Sequence, residues 1–187
     1  MKKGLLLTSM MLLCTSLAFS MDPSEEGVAT SPLSRYSGGI GVGAMMARNN
    51  ELQDVSEKFF RLTFMNSVYI RDHVSVFFDI DWFAPGPNVG AYLGADYVFT
   101  TTEFRPFLGI GGGANYFDKY DEFGKNIGPT FTAHAGFNLD LFESVQVRAR
   151  VPYIVTVNED VDQMVGIEIG FMFSGKYKKI KKLDYNK

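Results

Sequence analysis

Apolar and polar residues alternate along most of the chain that follows Arg35. Between His73 and Trp82, every even-numbered position is a large apolar residue and most odd-numbered positions are polar. A strict period of two predicts a β-strand with one apolar face. The same test predicts eight strands, which lie within residues 36–44, 59–70, 73–82, 89–100, 104–116, 127–140, 145–156 and 164–173.

An even number of strands of about 10 residues or more, with a dyad pattern, is typical of a closed barrel, which leaves no strand edge exposed. The predicted fold class is all-β: a closed eight-stranded antiparallel up-and-down transmembrane β-barrel spanning residues 36–174. Short turns are predicted at 71–72, 101–103 and 142–144, and longer polar loops at 47–57, 84–88, 118–126 and 158–163. In bacterial outer-membrane barrels the short turns face the periplasm, so both termini are expected there.

The volumes of the two faces predict which one points outward. The polar row contains many glycines, and glycine on a solvent face weakens a strand without packing in return. The apolar row is too bulky for the interior of an eight-stranded barrel. We therefore expect the apolar row to face lipid, and the alternative is a soluble lipocalin-like barrel with the faces reversed. Inward glycines would leave space for the aromatic residues of the same row, which are Phe59, Tyr69, Phe77, Tyr92, Phe107 and Phe117.

Charged residues share the inward parity. A charge facing lipid at mid-depth costs about 2 to 4 kcal/mol, whereas opposite charges in a narrow lumen neutralise one another. The predicted lumen charge network comprises Arg61, Asp79, Asp81, Asp96, Arg105, His134, Arg148, Arg150 and Glu168. Such a network either fills the barrel as a structural element or lines a gated or solute-selective pore. Aromatic residues at strand ends are expected at the two membrane interfaces, namely Tyr36, Trp82, Phe99, Tyr116, Tyr153 and Phe173.

The N-terminal residues have the pattern of a secretory signal peptide. Lys2 and Lys3 precede an apolar run, and Ala18 and Ser20 are small residues at the positions that a signal peptidase requires, so cleavage is expected after about Ser20. The alternative, a lipoprotein signal acylated at Cys14, is disfavoured because a large leucine precedes the cysteine. We expect a flexible segment over 21–35 and a basic periplasmic tail over 175–187.

Composition narrows the classes of function. A net charge of −3 argues against a nucleic-acid partner, and the single cysteine excludes an internal disulfide or a cysteine zinc site. No spacing of His, Asp and Glu predicts a metal, and no cofactor is expected. The glycine motifs at 39–41 and 109–113 lie within predicted strands, whereas a dinucleotide-binding turn joins a strand to a helix.

An enzyme acting on lipid A would need a Ser/His/acid set against the lipid. His134 has inward parity and no serine beside it, so we expect no enzyme activity.

Residues 104–113, of sequence FRPFLGIGGG, resemble a glycine-rich strand that recurs in small outer-membrane β-barrel proteins of the OmpA/OmpX/OmpW-like type. The last predicted strand, which ends at Phe173, is similar to the aromatic-terminated strand by which the barrel assembly machinery recognises that family. This chain departs from the pattern because it continues to Lys187. The resemblance implies an outer-membrane location, with membrane lipids and the assembly machinery as partners.

The resemblance leaves the role open, because the family includes several. We predict a structural or surface-interaction role, with the lumen largely filled by ion pairs. A narrow channel or ligand-conducting barrel of the OmpW-like kind is the first alternative, and a lipid A-modifying enzyme is the second.

Overall fold

The computed structural model describes residues 36–121, 123–142 and 144–174. Eight antiparallel strands follow one another in chain order, and pairing of the first with the last closes the barrel. The closed up-and-down barrel predicted from the alternation is confirmed. The elements are β1 (Tyr36–Ala47), α1 (Asn50–Val55), β2 (Lys58–Arg71), β3 (Val74–Ala84), β4 (Asn88–Val98), β5 (Phe104–Tyr116), α2 (Phe123–Asn126), β6 (Ile127–Phe142), β7 (Val145–Val157) and β8 (Val161–Ser174).

Three predicted segments lie outside the described residues: the signal peptide, the flexible segment over 21–35 and the basic tail over 175–187. They stay predictions. Within the described ranges, no helix is long and apolar enough to cross a membrane.

The two rows of each strand face opposite sides of the barrel wall, as the alternation predicts. On β5, Phe107 is 1% exposed and its neighbour Leu108 is 54% exposed. The outward row carries large apolar residues at high exposure, with Ile110 at 72% and Ile167 at 67%. The inward row carries nearly all of the buried charges. A surface of this kind is unsuited to water and suited to lipid.

The connections differ from the predicted loop lengths. At the loop end of the barrel, defined by the connections 48–57, 85–87, 117–126 and 158–160, two segments have ten residues and two have only three. The predicted loop at 84–88 is a tight turn, since Gly86 adopts a φ of 94°, a conformation that glycine tolerates best. The predicted loop at 158–163 is shortened because β8 begins at Val161. At the opposite, terminal end, the connections have two, five and two residues.

Inward glycines make room for aromatic rings. A Cβ added at Gly111 would lie 2.8 Å from Cζ of Phe77, and one added at Gly136 would lie 2.8 Å from Cζ of Phe107. These separations are shorter than real Cβ contacts, so a larger residue at either position would displace the ring. Glycine and aromatic residues thus fill the lumen as complementary partners, which is the packing that the row volumes predict.

Candidate functional site

The centre of the lumen holds five charged side chains that we call the central cluster: Arg61, Asp79, Asp81, Arg150 and Glu168. Arg61 donates from Nε to Asp81 Oδ2 at 2.8 Å, and its Nη1 lies 2.8 Å from Glu168 Oε2. Arg150 donates from Nε to Glu168 Oε1 at 2.7 Å and from Nη1 to Asp79 Oδ2 at 2.6 Å. The two guanidinium groups therefore join β2, β3, β7 and β8 across the interior.

A glycine on the intervening strand allows part of this cluster to form. Gly43 of β1 pairs with Arg61 on one side and with Glu168 on the other. Because this position has no side chain, the charged groups of β2 and β8 meet above β1 instead of being separated by it. The contact of Arg61 with Glu168 thus depends on how the strands are aligned with one another, and also on both residues facing inward.

A second charged group lies nearer the terminal end and contains His134. The imidazole Nε2 and Asp96 Oδ1 are 2.7 Å apart, and Arg148 donates from Nη2 to Asp96 Oδ2 at 2.8 Å. The rings of Phe77 and Phe107 pack on His134, with centroids 5.1 and 5.7 Å from the imidazole. A glycine again lies between the two charged positions: Gly109 of β5 pairs with Asp96 on β4 and with His134 on β6.

The third charged group is an ion pair at the terminal end of the lumen. Arg105 donates from Nη1 to Asp140 Oδ2 at 2.7 Å, and Gln146 donates from Nε2 to Asp140 Oδ1 at 3.0 Å. The alternation places Asp140 on the inward face with the other charges, and in the structure it is the partner of Arg105. The nine predicted network residues all lie on the inward face and are buried, and the structure divides them among these three groups.

The loop end of the lumen is filled by an apolar cluster that we call the plug. Leu52 of α1 is fully buried within it, so the helix lies over the mouth of the barrel. Phe117 packs on Phe83 with ring centroids 5.7 Å apart and on Phe59 at 6.2 Å. The remaining buried members are Met45, Ala47, Phe77, Tyr92, Ile154 and Met164. The sequence predicted Phe59, Phe77, Tyr92 and Phe117 inside the barrel, but it did not predict the contribution of Leu52, because α1 belongs to no segment with a period of two.

Above the plug, the loops are tied together through Asp162, which is 1% exposed. Its carboxylate accepts hydrogen bonds from Lys119 Nζ at 2.8 Å, from Asn49 Nδ2 at 3.2 Å and from Asn158 Nδ2 at 2.8 Å. We call this group the loop latch. It joins the loops that follow β1, β5 and β7 at the loop end of the barrel.

One tyrosine supports the latch from the same loop as Lys119. Tyr120 donates a hydrogen bond from its hydroxyl to Asp160, and this bond raises the pKa of Tyr120 to about 12. The phenol therefore keeps its proton, and remains a donor, throughout the physiological range of pH.

The six predicted interfacial aromatics lie on the outward row or at strand ends. Trp82, Phe99, Tyr153 and Phe173 have exposed side chains, and Tyr36 and Tyr116 are half-buried. Tyr153 donates a hydrogen bond to Gln163 at 2.8 Å, which gives it the wet tip and apolar ring that suit a membrane interface. Their position relative to a bilayer stays a prediction.

The sequence matches no protein-family model and none of the curated proteins. The barrel is similar to solved structures that include Neisserial surface protein A, the N-terminal β-barrel domain of OprF from Pseudomonas aeruginosa, and the outer membrane protein OprG from Pseudomonas aeruginosa. The chain has the fold of small outer-membrane β-barrels.

The likeness spans nearly the whole of each of those chains. Neisserial surface protein A has a TM-score of 0.62 and 15% identity, with coverage of 76% of this chain and 98% of that one. The OprF domain has a TM-score of 0.54 and 16% identity, covering 75% and 100%. OprG has a TM-score of 0.53 and 13% identity, covering 76% and 97%. At these identities the common property is the fold, and it covers the barrel described above.

Proposed function

We propose that this protein is an integral barrel of the outer membrane with a structural or surface-interaction role, and that its lumen does not conduct. The outward row is apolar and exposed, the inward row holds the buried charges, and the fold is that of outer-membrane barrels. In a lipid environment the apolar row contacts lipid chains while the charges of the other row stay inside the barrel. We include membrane lipids and, during assembly, the barrel assembly machinery as partners.

The burial of the lumen arginines is the main observation that supports a lumen closed to ions. Arg61, Arg105, Arg148 and Arg150 are each at most 4% exposed, so other protein atoms cover almost all of their surface. Above them, the plug fills the barrel with side chains such as Phe59 that are 1% exposed or less. Ion passage would require both the plug and the ion pairs to move.

The latched loops support a surface role. The hydrogen bonds of Asp162 tie residues of three loops to one another. A preorganised surface loses less entropy when it binds than a floppy one does. The loops are therefore the region through which we expect the protein to meet another molecule.

Single-channel recording in planar bilayers tests the closed lumen. The purified full chain is expected to give no steady conductance. A steady conductance that changes in Arg148→Ala or Asp81→Ala would contradict the proposal and favour the narrow channel, because those residues would then line the ion path.

We also propose that the protein is not an enzyme. His134 is 5% exposed and lies inside the barrel against Asp96, away from the lipid-facing surface where a lipid A substrate would lie. Mass spectra of lipid A are expected to be unchanged when the protein is overexpressed. A new lipid A species that disappears in His134→Ala would contradict this proposal.

A further inference from the structure

The central cluster has more acidic groups than basic ones. Asp79, Asp81 and Glu168 are three carboxyl groups, and Arg61 and Arg150 are two guanidinium groups, all at most 4% exposed. The other lumen arginines have carboxylate partners of their own, since Arg148 binds Asp96 and Arg105 binds Asp140. If every group of the cluster is ionised, it carries one uncompensated negative charge in a buried site.

Asp79 and Asp81 each meet a single cation, but of the three carboxyl groups only Asp81 has a buried oxygen without a hydrogen-bond partner among the described residues. Glu168 faces both guanidinium groups and also accepts a hydrogen bond from Thr63 Oγ1 at 2.8 Å. Asp81, by contrast, meets a single cation, and both contacts of Arg61 fall on the same oxygen, Oδ2, at 2.8 Å from Nε and 2.5 Å from Nη2. Oδ1 of Asp81 is buried and has no hydrogen-bond partner among the described residues.

An unmatched charge in a buried site is costly, and a buried carboxyl group avoids that cost by neutralising. We propose that the central cluster binds one proton, taken up from solvent, with Oδ1 of Asp81 as its site. The neutral acid keeps Oδ2 as an acceptor for Arg61 and removes the charge from the oxygen that has no donor. A metal cation fits the site poorly, because guanidinium groups flank it and Nη2 of Arg150 is a further buried donor that has no hydrogen-bond partner in the described part of the chain.

The charged groups of the cluster are in direct contact, so a proton on Oδ1 of Asp81 reduces the negative charge of the whole cluster. The charged and titratable groups that act on Asp81 come from five strands. They are Arg61 on β2, Asp79 on β3, Tyr92 on β4, Arg150 on β7 and Glu168 on β8.

Infrared spectroscopy of the folded full chain in lipid vesicles at neutral pH tests the proposal directly. The carbonyl stretching band of a protonated carboxylic acid is expected in the parent protein and lost in Asp81→Asn. Asp140→Asn is the matched control, because it removes an aspartate of the Arg105 pair outside the cluster, and the band is expected to persist in it. No band in the parent protein, or a band that survives in Asp81→Asn, overturns the proposal.

Asp79→Asn is a second variant that decides the question if Asp81→Asn does not fold. It leaves two carboxylates for two guanidinium groups, so the cluster no longer needs a proton and the band is again expected to vanish. A band that persists in Asp79→Asn, or is lost in Asp140→Asn, contradicts the proposal. The same bands are expected in detergent micelles, so the outcome is separate from the proposed role in the outer membrane.

Discussion

Gly109 shows at the scale of one residue how the lumen pairs depend on glycine. It lies between Asp96 and His134 on the neighbouring strands, and a Cβ at this position would collide with Asp96 Oδ1 and His134 Nε2. The buried pair of Asp96 and His134 therefore exists because position 109 has no side chain.

Gly109→Ala is expected to lower the free energy of unfolding by about 1 to 3 kcal/mol, because it separates a buried hydrogen-bonded pair. Gly112→Ala, on the same strand, is the control, since its Cβ would meet only Thr130 O at 3.6 Å. Urea unfolding in lipid vesicles measures both. Equal losses of stability in the two variants would show that glycine matters to β5 for its backbone and not for the pair.

A substitution at Arg150 tests whether the buried ion pairs stabilise the fold. Arg150→Met leaves the buried carboxylates of Asp79 and Glu168 without one of their cations, and breaking a buried pair from one side costs about 3 to 5 kcal/mol. Arg71→Met makes the same substitution at an exposed position and is expected to change the free energy of unfolding little. If both variants unfold at the same urea concentration, the central cluster is not a stabilising element.

At the scale of the element, α1 has six residues and stays in place through its contacts with the barrel. Leu52 is its fully buried residue, and short helices are marginal without tertiary packing. The helix is thus expected to open locally before the strands do.

Leu52→Ala is expected to lower the free energy of this local opening by about 2 to 5 kcal/mol, the usual loss for a buried leucine. Hydrogen exchange of the amides in 48–57 is the measurement, with faster exchange there and unchanged exchange in β2. Asp54→Ala, at an exposed position of the same helix, is the control. Unchanged exchange in Leu52→Ala would mean that the plug does not hold α1.

Lys119→Met tests the loop latch, because it removes the only cation that contacts Asp162 among the described residues. The loops at 117–126 and 158–160 are expected to become sensitive to protease in intact vesicles while the barrel stays resistant. Lys58→Met, an exposed lysine at the same end, is expected to leave the digestion pattern unchanged. Resistance equal to that of the parent protein would show that the loops are ordered without the latch.

The sequence predicted correctly which side of the barrel wall the residues of each strand face. It did not predict how neighbouring strands are staggered. The alternation was sufficient to place Arg61, Asp81 and Glu168 inside, because the period of a strand fixes which side each residue faces. It did not show that Arg61 would meet Glu168 across Gly43, since that contact depends on how the strands are staggered. Loop lengths were less predictable, as residues 161–163, two of which are polar, continue β8 instead of forming a loop.

At the scale of the whole molecule, the barrel resembles a soluble protein turned inside out. Charged groups such as those of the central cluster are buried at the centre, and apolar side chains such as Ile110 and Ile167 cover the outside. Closure of β1 on β8 pairs the backbone groups of every strand, which a lipid environment requires. The mean hydropathy of zero is the average of these two opposed faces.

Fractionation of cells that express the full chain tests this arrangement most directly. The protein is expected in the outer-membrane fraction of a density gradient and is expected to stay there after washing with alkaline carbonate, because its apolar face is in contact with lipid. Recovery of the folded protein in the soluble periplasm would contradict the assignment of the apolar row to lipid, and with it the proposed function.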